Sequence, residues 1–106
     1  MHKYSELHIK LKEKGFPQNL HIGDWVYLPD MNDYLRVEAN NIIPEHYVKA
    51  PKLTTMMAEL DQYDYTLVHK RIDKDREKWF LDCGDIHIEG ENVNIALIQL
   101  WLIKKG

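Results

Sequence analysis

The stretch that most restricts this chain is VNIALIQLWLIKK, residues 93–105. Ala96, Leu100 and Ile103 make one stripe at helical spacing, Leu97 and Trp101 a second, and Ile98 with Leu102 a third. A helix apolar all round is either sunk into a core or shared with a partner chain. Its length, its Leu and Ala content and the closing Lys104 and Lys105, which suit the negative end of a helix dipole, favour helix over strand. Asn92 or Asn94 can cap its start. The apolar run over 95–103, broken only by Gln99, is far shorter than the ~20 residues of a bilayer span. The surplus face of Ile98 and Leu102 is therefore expected to meet a protein partner or a second copy of the chain, not a membrane.

The rest of the sequence predicts two more helices and several strands. A short helix over 5–14 can use Ser5 as N-cap, with Tyr4, Leu7 and Leu11 on one stripe and Lys10, Lys12 and Lys14 toward its C-terminal end. Gly15 suits the left-handed position that follows, Phe16 the apolar contact after it, and Pro17 forbids continuation. DWVYL over 24–28 is aromatic and β-branched, and reads as a strand. Pro29, Asp30, Asn32 and Asp33 then turn the chain into a second strand over 34–38. A loop through Asn40, Asn41 and Pro44 leads to an extended piece around Tyr47 and Val48. A helix over 53–61 is expected to carry Leu53, Met56, Met57 and Leu60 inward. Segments 65–72 and 79–83 read as a hairpin joined by DKDREK, with Ile86 and Ile88 extending the sheet after a Gly84 turn. Trp25, Tyr27, Trp79 and Trp101 are expected in the core. The order α-β-β-α-β-β-α predicts an α+β domain over 1–106, with three helices and a mainly antiparallel sheet of four to five strands.

Composition narrows the classes of function. Fourteen Lys plus Arg against seventeen Asp plus Glu give the 106 residues a net charge of −3, without the strongly basic footprint of a phosphate-tracking protein. The lone cysteine, Cys83, cannot form an internal bridge, and the N-terminal residues lack the apolar run of a signal peptide. The expected location is the cytoplasm.

Leu11-x-x-x-Gly15-Phe16-Pro17-Gln18, the strand Trp25-Val26-Tyr27, and Val48-Lys49-Ala50-Pro51-x-Leu53-x-x-x-Met57 occur in that order. A Trp79 hairpin and Ala96-Leu97-x-x-Leu100-Trp101-Leu102-x-x-Lys105 follow. Together these resemble a group of small uncharacterised bacteriophage and prophage proteins with a "GFPQ" helix ending, an "AP-x-L" helix start and a closing "LWL" helix. The chain departs from that pattern at Lys52 and Thr54, where a Thr-x-x-Glu cap is expected, and at Asn92-Val93-Asn94, which replaces a proline-acidic start. The resemblance implies a phage or prophage origin and a host-cell cytoplasmic setting, with no assigned chemistry.

Six histidines (His2, His8, His21, His46, His69, His87) call for a metal check, but none forms a His-x-x-x-His pair. At strand periodicity Cys83, Asp85, His87 and Glu89 would share one face, a donor set suited to zinc, manganese or iron. Asp82 and Asp85 beside Cys83 disfavour a thiolate. The glycines sit singly, so no phosphate loop is formed. The charged run 69–78 reads as a solvated hairpin turn of mixed sign. No catalytic residue, cofactor or metal is assigned. The expectation is a non-enzymatic accessory or protein-interaction module. The alternatives are a nucleic-acid-binding accessory protein using Lys10, Lys12, Lys14, Lys70 and Arg71, and a metal-dependent enzyme around Asp85 and His87.

Overall fold

The computed structural model describes residues 4–106; His2 lies outside them. In chain order the elements are α1 (Ser5–Glu13), β1 (Trp25–Leu28), β2 (Asp33–Arg36), β3 (Val48–Ala50), α2 (Leu53–Glu59), β4 (Thr66–Asp73), β5 (Arg76–Cys83), β6 (Ile86–Gly90) and α3 (Val93–Lys105). The class is α+β and the order of elements follows the expectation. The single sheet of four to five strands is corrected: six strands form two separate three-stranded antiparallel sheets, β2-β1-β3 and β4-β5-β6. Alternation marks a residue as strand but does not choose its neighbour. The piece at Val48 turns back onto β1, pairing Trp25 with Ala50 and Tyr27 with Val48, so β1 is occupied on both sides. The chain divides into two compact units, the residues up to Lys52 and those over Leu53–Lys105.

In the first unit α1 ends as its sequence requires. The Phe16 amide donates to the Leu11 carbonyl at 2.9 Å and the Gly15 amide to Lys12 at 3.1 Å, with Gly15 at φ +91°. This is the paired bonding of a Schellman ending, and Leu11 and Phe16 are both buried. The start differs from expectation. Tyr4 takes the cap position, its carbonyl accepting from the Leu7 and His8 amides, while Ser5 is the first helical residue and is buried. Val26, Leu28 and Val37 form the core on one face of the sheet, with Leu20, Leu35, Ile43 and Tyr47 packed against it. Trp25, expected inside, is exposed.

The Gly15-Phe16-Pro17-Gln18 segment does more than end a helix. The Gln18 side-chain amide donates to the Phe16 carbonyl (2.9 Å), and its oxygen accepts from the Lys49 backbone amide (2.8 Å). Tyr47 Oη donates to the Gln18 carbonyl at 2.6 Å and Lys12 Nζ to the Tyr47 carbonyl at 2.6 Å. The helix exit is thereby fastened to β3, and a backbone group at the sheet edge gains a partner.

In the second unit α3 packs on β5, β6 and α2. Asn92 Oδ1 accepts from the Ile95 amide at 2.9 Å, the capping bond expected there. Leu81, Cys83 and Ile88 are buried on the sheet face toward α3, together with Gly90. A Cβ at Gly90 would stand 3.0 Å from the Ala96 amide nitrogen and 3.1 Å from the Asn92 carbonyl oxygen. The bare glycine therefore lets the first turn of α3 lie directly on β6. α2 buries Met56, with Leu60 buried just beyond its end, but Leu53 and Met57, on the neighbouring row of this seven-residue helix, are exposed. The end of α2 is tied to α3 by Lys105 Nζ, 2.9 Å from the Glu59 carbonyl, and by Trp101 Nε1, 3.4 Å from Glu59 Oε2.

Candidate functional site

The β4-β5-β6 sheet has one covered and one open face. On the open face the register sets Val68 opposite Phe80 and Phe80 opposite Glu89, with Thr66, Asp82 and His87 forming the next row. His87 Nδ1 and Asp82 Oδ1 are 2.5 Å apart, and Lys78 Nζ is 3.4 Å from Glu89 Oε2. Phe80, Asp82, His87 and Glu89 line a shallow depression there. The carboxylate stands between hydroxyl and imidazole in the row, so His87 is not placed to take the Thr66 proton.

β4 is the outer strand of this sheet, eight residues long, and none of its residues is buried. Val68 and Ile72 are 44% and 49% exposed, values that separate them from every core aliphatic. Lys70 Nζ lies 5.2 Å from the Phe80 ring centroid on the open face, and Arg71, one residue on, belongs to the opposite face. Around them the charges are paired: Arg76 with Asp73 (2.8 Å), His69 with Glu77 (3.3 Å) and Lys78 with Glu89. Among the described residues neither Lys70 nor Arg71 has a carboxylate within 4 Å. A bulge interrupts the ladder between Arg71 and Asp73, leaving Ile72 outside the register.

The metal face weighed as an alternative is not assembled. Cys83 pairs with Ile86 across the Gly84-Asp85 turn, so the chain reverses within the proposed run. Cys83 is buried toward α3, Asp85 lies in the turn, and His87 and Glu89 point to the open face. Among the described residues no three His, Cys, Asp or Glu side chains converge as a metal site. The cations proposed for nucleic acid are likewise dispersed: Lys70 and Arg71 take opposite sheet faces, and Lys12 is engaged with Tyr47. Ile98 is fully buried and offers no surface to a partner; Leu102 is half-buried, and its neighbour Ile103 is 56% exposed.

Two polar clusters escaped the sequence reading. Asp24 and Lys49 are both buried, with Nζ 3.7 Å from the carboxylate. Lys52 Nζ stands at 3.3 Å, the His21 amide donates to Asp24 at 2.8 Å, and Lys49 Nζ also donates to the Asn19 carbonyl at 2.6 Å. Burial alone would raise the Asp24 carboxyl, but the His21 amide and the two ammonium groups outweigh it and hold the carboxyl below the usual aspartate range. Elsewhere in the unit His8 Nδ1 is 2.9 Å from Tyr34 Oη, and Tyr27 Oη donates to Asn32 at 2.7 Å. Burial lowers the His8 pKa to about 4, and burial with Tyr27 alongside raises that of Tyr34 to about 12. Both clusters support the fold by giving buried polar groups partners.

Comparison of the chain with protein-family models, with curated proteins and with solved structures gives no match.

Proposed function

We propose that this chain is a non-enzymatic accessory protein that works as a protein-interaction module. The observation that carries the reading is β4: a long edge strand, open on its outer side, with no buried residue and with exposed Val68 and Ile72. Edge strands of natural proteins are usually short, covered, bulged or guarded by charges, because an unpaired row of amides and carbonyls recruits another chain. β4 carries its bulge and the cations Lys70 and Arg71 only toward its end, at residues 70–72. The resemblance to small phage and prophage proteins supports a phage or prophage setting for that partner. Contact at the end of α3 through Leu102, beside exposed Ile103, belongs to the same proposal. A photo-crosslinking residue placed at Val68 in the producing cell tests it. A discrete protein adduct is expected; adducts to nucleic acid alone, or none, would overturn the reading.

A further inference from the structure

The outer side of β4 carries a more specific inference, which rests on the interaction reading above. We infer that Thr66–Arg71 accepts an acidic extended segment of a partner protein as an added strand. Every second residue of an edge strand turns its amide and carbonyl outward, so a fourth strand would continue the sheet by main-chain hydrogen bonds. The pairing segment ends at Arg71, because the bulge at Ile72 breaks the ladder beyond it.

Charge chooses the occupant. Lys70 and Arg71 are the adjacent cations of the strand that lack a carboxylate among the described residues, and they project from opposite sheet faces. An added strand meets both with two consecutive acidic residues, one on each face. On the open face Val68 precedes Lys70 by two residues, so an apolar residue two positions from the acid lies against Val68. A second copy of this chain fits badly. In the antiparallel β4–β4 register over residues 67–71, which stops short of the bulge, His69 faces its own copy and the two Lys70 side chains stand diagonally opposed on one face. Like charges across strands oppose pairing. The same cations that discourage self-pairing select an acidic partner.

The test uses the full chain and a fluorescent ten-residue peptide of alternating threonine and valine with two central glutamates. Anisotropy is expected to show saturable binding that weakens at least tenfold for Lys70→Glu/Arg71→Glu, while a peptide with two central lysines gains affinity for that variant. On the unaltered chain, raising the salt is expected to weaken binding and hydrogen exchange to slow in β4 amides, so the result does not depend on a variant folding. Absence of binding, equal affinity for both peptides, or protection confined to β2 or β6 would overturn the inference. A dimer in sedimentation that Lys70→Glu dissociates would assign the edge to a second copy instead, and would also overturn it. If the Val68 adduct persists while the acidic peptide fails, the interaction reading stands and this inference alone falls.

Discussion

The Asp24 carboxylate and the Lys49 ammonium lie 3.7 Å apart with both side chains buried, joining the residue before β1 to the middle of β3. Breaking such a pair leaves a buried charge uncompensated, which is more damaging than replacing both partners. Asp24→Asn is expected to destabilise the protein by about 3 kcal/mol in urea unfolding. The double change Asp24→Leu/Lys49→Met should recover much of that loss. If the double variant were as unstable as the single one, the charge pair would not be the cause.

Acid sensitivity should first appear through His8. Its folded pKa of about 4 lies below the ordinary 6.5, so the unfolded chain takes the proton first. This contribution is fully present above about 6.5 and lost progressively as the pH falls toward 4, with a total of up to ~3 kcal/mol. His8→Gln should flatten the urea midpoint between pH 7 and 4.5. Asp24 acts lower: its carboxyl is held below 3.8, so its stabilisation is lost only as the pH falls beneath that value.

Gly90→Ala is expected to cost about 1–3 kcal/mol, since the added methyl meets the Ala96 amide and the Asn92 carbonyl and must push α3 from β6. Thermal unfolding reads this directly. Gly15→Ala gives the contrast, because no atom lies within 4 Å of a Cβ there and only the strain of φ +91° opposes it, at about 1 kcal/mol.

Gln18→Ala should cost about 1–2 kcal/mol by leaving the buried Lys49 amide without its acceptor. Hydrogen exchange at Lys49 should accelerate more than at Val26. Equal protection with and without the Gln18 side chain would show that the bond contributes nothing.

Much of the fold was legible because its signals are local. Leu11, Gly15 and Phe16 write a helix ending within six residues, Asn92 writes a helix start, and both bond as their chemistry requires. The candidate site was not legible in the same way. The charged DKDREK connection reads as a solvated turn, yet Asp73 ends β4 and residues 76–78 begin β5, so the turn is short and both strands are eight residues long, β4 with a free edge. The shared metal face does not form because the turn expected at Gly84 reverses the chain between Cys83 and Ile86. Glycine first in a two-residue hairpin loop was the available signal for the reversal at Gly84-Asp85.

The sequence by itself determined the type and order of the elements and several of their ends, since caps, turns and alternation act through sterics and hydrogen bonds over a few residues. Only the tertiary structure decided that Val48–Ala50 closes on β1, that Asp24 and Lys49 are buried together, that Ile98 is enclosed, and that β4 keeps an open side. Those outcomes depend on which distant contacts offset the entropy of closing the chain between them, a competition among whole arrangements that no short window of residues records.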